Sequence, residues 1–153
     1  MKNIRLTSIL SSSVIACALA IGSLASAPSA SAQSSTTVAV VNIPFAFQTE
    51  RQTLPAGKYR IDRVSGNLLR LAGPDQAGGF VMTHDAIKSH PPDHGTIVFD
   101  RYGDKYFLHQ IWTAGKSTGL ECPKSRAEKS ALVAQNEQAA TSVELAFNSA
   151  PQK

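Results

Sequence analysis

The strongest constraint in this chain is a dipeptide. Gly103-Asp104 separates two runs, Thr96–Tyr102 and Lys105–Thr113, that are dense in β-branched and aromatic residues. Such residues suit a pleated, half-buried surface. Glycine at the first loop position takes the positive φ that a primed two-residue turn needs, and primed turns match the twist of the strands they join. The pattern predicts a β-hairpin in which Tyr102 faces Lys105, and each further pair follows by counting outward. In that register one face carries Ile97, Phe99, Arg101, Tyr106, Leu108, Gln110 and Trp112, and this aromatic-rich face is expected to look into the core. The other carries Thr96, Val98, Asp100, Tyr102, Lys105, Phe107, His109 and Ile111, a mixed set.

The flanking segments read the same way. In Val38–Thr49, residues Val41, Ile43, Phe45 and Phe47 share one face of a period-two pattern, and Pro44 argues for an edge strand or a bulge. Leu54-Pro55-Ala56-Gly57 is a turn. After it Tyr59, Ile61 and Arg63 alternate with Lys58, Arg60 and Asp62, as in a half-exposed strand that Ser65-Gly66-Asn67 turns back into Leu68–Ala72. Gly73–Gly79 reads as a loop, Phe80–Ile87 as a further strand, and the Pro91-Pro92 stretch as irregular. Ser125-Arg126-Ala127-Glu128 is a capping box opening a surface helix from Arg126 to about Ala139, with Ala127, Ala131, Leu132 and Ala134 as its narrow buried stripe. Val143, Leu145 and Phe147 alternate as a last strand. The expected fold is mainly β: a small antiparallel sandwich or barrel of about six or seven strands with one C-terminal helix.

The first 32 residues read as a signal peptide rather than as part of the fold. Lys2 and Arg5 precede an apolar run from Leu6 to Leu24, and Ala30-Ser31-Ala32 supplies the small-x-small site, which places cleavage before Gln33. Val14-Ile15-Ala16-Cys17 loosely matches a lipoprotein box, but the apolar run continues past Cys17. Thr7, Ser8, Ser11, Ser12 and Ser13 interrupt the run, which makes it poor for spanning a membrane. Removing residues 1–32 from 153 leaves 121 in a single β-rich domain, 33–153, with an ordered core expected over about 38–148. Two of the 15 basic residues leave with the peptide, so 13 face 11 acidic ones and the net charge falls from +4 to about +2. That total implies neither nucleic acid nor an anionic membrane as partner, and no membrane span is expected in the mature chain. Cys17 leaves too, so Cys122 has no intramolecular partner and is expected to be buried.

Taken together, Ile43-Pro44-Phe45-Ala46-Phe47, Leu54-Pro55-Ala56-Gly57-Lys58-Tyr59-Arg60-Ile61, Phe99-Asp100-Arg101-Tyr102-Gly103-Asp104-Lys105-Tyr106-Phe107-Leu108, Ile111-Trp112 and Pro123-Lys124-Ser125-Arg126-Ala127-Glu128 resemble the layout of an uncharacterised family of small exported soil-bacterial proteins. The likeness spans most of residues 43 to 128. It implies export and a shared fold, and no known activity. Two positions depart from the family pattern: Asp100 stands where histidine is expected, and Cys122 where leucine is. The second departure implies a buried apolar slot.

Candidate chemistry is sparse. His84, His90 and His94, with Asp85 and Asp93, bring together residue types that suit zinc or copper, yet their spacing matches no standard ligand motif. Asp100 and His109 are diagonal neighbours in the expected register and form a possible pH-sensitive pair, but no nucleophile elbow accompanies them. Arg101 opposite Tyr106 reads as a cation–π contact, and Trp112 as packing rather than as a ligand platform with Tyr102. Lys124, Arg126, Glu128 and Lys129 read as a solvated helix start. Gly73, Gly78 and Gly79 lack the lysine and helix of a phosphate loop. No residue is assigned a catalytic, cofactor-binding or metal-binding role, and no cofactor is expected. The favoured function is an exported, non-enzymatic envelope or secreted module, binding or structural, with an unidentified protein or envelope partner. The alternative is an extracytoplasmic metal-dependent or hydrolase-like enzyme using the His84/His90/His94 region.

Overall fold

The computed structural model describes residues 35–135 and 139–147. The expected signal peptide, its cleavage site and Cys17 lie outside them. In chain order the strands are β1 (Thr36–Ile43), β2 (Phe47–Gln48), β3 (Thr53–Leu54), β4 (Gly57–Ser65), β5 (Leu68–Ala72), β6 (Gly78–Met82) and β7 (His84–Ile87). There follow β8 (Gly95–Tyr102), β9 (Lys105–Trp112), β10 (Thr118–Glu121), helix α1 (Arg126–Ala134) and β11 (Thr141–Phe147). Seven of these strands are five residues or longer, the set that alternation alone makes visible. The chain is mainly β, as expected, in two sheets. The smaller runs β1-β4-β5-β6. The larger runs β11-β8-β9-β10-β7, with β2 laid parallel to β9 through Gln48 and Phe107.

The inner faces of the two sheets share one core. Val41, Ile43, Tyr59, Ile61, Leu69, Leu71 and Val81 come from the smaller sheet; Ile97, Phe99, Leu108, Ile111, Leu120 and Phe147 come from the larger. Burying both apolar faces against each other is what makes a sandwich stable. Tyr59 fixes one entry to this core: its hydroxyl donates to the Pro55 carbonyl at 2.7 Å, locking the Leu54–Gly57 turn. Its ring lies so close to Gly73 that a side chain there would collide with it. Phe45, beyond the break at Pro44, stacks on Tyr106 with ring centroids 3.9 Å apart.

The central hairpin forms around Gly103-Asp104, with Gly103 at φ 60°, as a glycine-first primed turn requires. Tyr102↔Lys105, Arg101↔Tyr106, Asp100↔Phe107 and Phe99↔Leu108 pair as expected. The register then slips by one: Val98 faces Gln110, Ile97 faces Ile111 and Thr96 faces Trp112. The extra residue is His109, a β-bulge, and beyond it the alternation of sides inverts. The expected faces are therefore corrected. Ile111 points into the core, whereas Gln110 and Trp112 lie on the outer face. The cause is legible in Leu108-His109-Gln110-Ile111: two polar residues separate two apolar ones, and only a bulge turns both apolar side chains inward. The carbonyl of His109 is not lost, since Cys122 N–H donates to it at 2.7 Å. Trp112 is still only 1 % exposed, because it lies over Gly119 and packs with Val98 and Ala86 in a second, outer cluster.

Two further elements differ from expectation. The single strand over Phe80–Ile87 is two strands, split at Thr83 and belonging to different sheets. Thr83 pins this crossing by donating both its N–H and its hydroxyl to the Asn67 carbonyl, at 2.8 and 3.0 Å. Helix α1 starts as the capping box predicts, with Glu128 N–H donating to Ser125 Oγ at 3.0 Å, and it ends at Ala134. Its buried contact is Glu128 and not the alanine stripe: Ala131 and Leu132 are half-buried, and Ala127 and Ala134 are exposed.

Phe99→Ala or Leu108→Ala should each destabilise by about 2–5 kcal/mol, through lost burial plus a cavity. Lys105→Ala at the exposed tip should cost under about 0.5 kcal/mol. Urea unfolding of the three variants tests this; equal costs at Lys105 and Leu108 would contradict the register.

Candidate functional site

The candidate histidine group of the alternative reading does not come together. His84 sits on β7 and His90 and His94 on the following loop, all exposed. Among the described residues no group of three or more His, Cys, Asp or Glu side chains is placed to hold a metal ion. His84 instead ends a polar chain across the outer face of the larger sheet. Trp112 Nε1–H donates to Gln110 Oε1 at 3.1 Å, Gln110 Nε2–H donates to Glu121 Oε2 at 2.8 Å, and Glu121 Oε1 lies 3.4 Å from His84 Nε2. The Gln110 hydrogen bond holds the Glu121 carboxyl below the usual glutamate range; partial desolvation opposes it, and His109 and His84 add to it. This chain exists because the bulge turned Gln110 and Trp112 outward.

The expected Asp100–His109 pair is a loose one, with His109 Nδ1 3.9 Å from Asp100 Oδ2. The real partner of Asp100 is Lys124, whose Nζ donates to Asp100 Oδ2 at 3.1 Å, to the Tyr102 hydroxyl at 3.1 Å and to Glu128 Oε1 at 3.0 Å. Partial desolvation works against the Lys124 ammonium. The hydrogen bonds from Tyr102, Glu128 and Asp100 outweigh it and raise its pKa. Lys124 and Glu128 therefore do not form a solvated helix start. They clasp α1 to the sheet over the buried Asp100 and Tyr102. Neither Tyr102 nor Trp112 offers a ligand platform: Tyr102 is buried edge-on against Phe107, and Lys88 Nζ lies 4.4 Å above the Trp112 ring. The Arg101–Tyr106 contact forms as expected, with the guanidinium carbon 5.5 Å from the ring centroid. On the outer face of the larger sheet two polar groups close on themselves: Asp100, Tyr102, Lys124 and Glu128 in one, Trp112, Gln110, Glu121 and His84 in the other.

The outer face of the smaller sheet is different. Cross-strand pairing sets Val40, Arg60 and Ala72 in one row, Thr37, Asp62, Arg70 and Phe80 in the next, and Leu68 beside Met82 in a third. Lys58 lies on the same face, two residues before Arg60. Asp62 is only 1 % exposed. Its Oδ2 receives Arg70 Nη2 at 2.8 Å and Arg60 Nε at 3.2 Å, and its Oδ1 receives the Thr37 hydroxyl at 2.9 Å. Desolvation would raise the Asp62 pKa; the hydrogen bonds from Arg70 and Thr37 and the charges of Arg60 and Arg70 win, and its pKa is lowered. Two guanidinium groups thus share one carboxylate. Arg70 Nε is buried without a partner, and Lys58 makes no ion pair among the described residues. Around these cations stand exposed apolar side chains: Phe80 at 57 %, Met82 at 49 % and Val40 at 37 %. An open groove of about 450 Å³, lined by Val40, Lys58, Arg60, Ala72, Gly73 and Pro74, runs along one side.

Sequence reasoning assigned no role to this face. The alternation Lys58, Arg60, Asp62 signals an outward-facing row, but the row becomes a site only when β5 and β6 add Arg70, Phe80 and Met82. Cys122, in contrast, lies in the apolar core as expected. Burial, with Glu121, Glu128 and Glu50 nearby, pushes its thiol up to about 12.

Two measurements probe these environments. The Asp62 carboxyl titrates lower in the folded chain than its ordinary value of 3.8. Its contribution to stability is therefore complete above that value and disappears as pH falls through the lower folded value. Asp62→Asn should cost about 2 kcal/mol at neutral pH, by leaving two arginines without their carboxylate. It should also flatten the acid limb of the urea midpoint against pH; an unchanged limb would mean the cluster contributes nothing. Cys122 should resist a thiol reagent at neutral pH until denaturant is added; prompt labelling of the native chain would contradict its burial.

No family model, curated protein or solved structure matches the chain, so its surfaces are read from their own chemistry.

Proposed function

We propose that this chain is exported, is processed before Gln33, and acts outside the cytoplasm as a non-enzymatic binding module through the outer face of its four-stranded sheet. Export is supported by the charged start, apolar run and small-x-small site within residues 1–32, and by the resemblance to exported soil-bacterial proteins. Among the described residues no helix is long and apolar enough to cross a membrane. The observation that carries the binding role is the joint exposure of Phe80, Met82 and Val40 on the face that presents Lys58, Arg60 and Arg70. Neighbouring large apolar side chains left in water, here Phe80 and Met82 on the same face of β6, favour an interaction surface. The backbone that carries Phe80 and Met82 is already ordered by pairing with β5, so binding need not order it.

The test has two arms. The protein recovered from outside the cytoplasm should have a mass beginning at Gln33. The chain from Gln33 onward should retain material from the extracytoplasmic fraction, and a Phe80→Ser/Met82→Ser variant should retain several-fold less. Lys105→Gln should retain as much as the parent. Equal retention by the parent and the double variant would remove this face as the binding surface.

A further inference from the structure

We infer that the outer face of the four-stranded sheet docks on an anionic lipid surface, an inference that rests on the reading of this face as a binding surface. Charge is the first ground. The face carries Lys58, Arg60 and Arg70 against one carboxylate, Asp62, both of whose oxygens are already occupied. Its excess of two positive charges equals the net excess of the whole chain from Gln33 onward. The outer face of the larger sheet, by contrast, sets Asp100, Glu121, Glu128 and Glu144 against Lys88, Lys105 and Lys124, and so has no cationic excess. A modest total thus conceals a cationic side, and a cationic side orients the molecule toward an anionic plane.

The second ground is the distribution of the apolar groups. Val40 stands on β1 and Phe80 and Met82 on β6, at opposite edges of the sheet, with the cations between them. A protein partner is best served by a contiguous apolar centre with a polar rim. This face has the reverse layout, with cations central and apolar side chains peripheral. A lipid surface accepts such a layout, because every lateral position offers both headgroup anions and hydrocarbon a few ångströms below. The groove beside Pro74 fits the same occupant at smaller scale, with Lys58 and Arg60 beside an aliphatic floor of Val40, Ala72 and Pro74.

The third ground is unused hydrogen-bonding capacity. Lys58 is exposed and makes no ion pair among the described residues. A headgroup phosphate oxygen supplies the acceptor that its ammonium lacks.

The chain from Gln33 onward contains every described element and excludes the apolar N-terminal run, which would bind lipid by itself. It should co-sediment with vesicles of mixed phosphatidylethanolamine and phosphatidylglycerol, and not with phosphatidylcholine vesicles. Added salt should weaken the binding. Lys58→Gln and Phe80→Ser remove exposed groups that bear on no described ion pair, so the melting temperature should hold while the partition coefficient falls roughly fivefold in each. Lys105→Gln, the same charge change on the other sheet, should leave it unaltered. Equal binding to both vesicle types, no binding, or full binding by Lys58→Gln and Phe80→Ser would each overturn the lipid proposal. Should vesicle binding be absent while Phe80→Ser/Met82→Ser still loses a soluble extracytoplasmic partner, the lipid surface falls and the binding face stands. Should neither be lost, both fall.

Discussion

His109 carries no identified chemistry, yet most of the larger sheet depends on it. As the extra residue of a β-bulge it lets Phe99 and Leu108 face inward on one side and Ile97 and Ile111 face inward on the other. Without the bulge, Gln110 would enter an apolar core with no partner, at a cost of a few kcal/mol, and Ile111 would be turned out. With it, Gln110 reaches Glu121 and Trp112 on the outer face. The same slip brings Trp112 over Gly119, where any larger residue would meet the indole. One inserted residue thus sets the core, the outer aromatic cluster and the polar chain that ends at His84. The free carbonyl such a bulge leaves is taken by Cys122 N–H, which also begins the turn toward the helix. Bulge, buried thiol and helix start form one connected piece of backbone.

The two outer faces handle charge in opposite ways. On the larger sheet, Lys124 answers Asp100 and Glu128 together, and Tyr102 adds an acceptor. The ions there serve cohesion: they attach a nine-residue helix that is too short and too poor in apolar contacts to hold itself. On the smaller sheet the stoichiometry is reversed, with one buried carboxylate between two arginines. Asp62 fixes the positions of Arg60 and Arg70 without cancelling them. A buried carboxylate is costly unless paired and hydrogen-bonded, and three donors on its two oxygens meet that condition. Both guanidinium groups remain about half exposed beside it.

The architecture was legible wherever local pattern and global packing agreed. The Gly103-Asp104 turn, the capping box at Ser125, the Ser65–Asn67 turn and the inward set Val41, Ile43 and Phe47 follow from short-range rules. The slip at His109 was not, because counting outward from a turn assumes an unbroken ladder. Only the demand that Ile111 be buried decides otherwise, and that demand comes from Ile97 and Leu120 on neighbouring strands. The division of Phe80–Ile87 failed to show for a related reason: nothing in the alternation says that Val81 and Ala86 belong to different sheets. The helix stripe misled because Glu128 is buried by an ion cluster rather than by apolar packing.

The cationic face shows why a net charge is a poor guide to partners. The total of about +2 over residues 33–153 argues for no particular ligand. Strand alternation, however, sorts residues by side, and sheet pairing then adds the sorted rows together. Lys58 and Arg60 from β4 meet Arg70 from β5 on one face only because those strands pair in the observed register. Shifting β5 by one residue against β4 would turn Arg70 inward and Leu69 or Leu71 outward, which the core forbids. The same packing that buries Leu69 and Leu71 therefore concentrates the cations, and it leaves Phe80 and Met82 exposed at the edge beside them. Surface chemistry on this face is a by-product of core register: the same pairing that buries Leu69 and Leu71 sets which cations stand together outside.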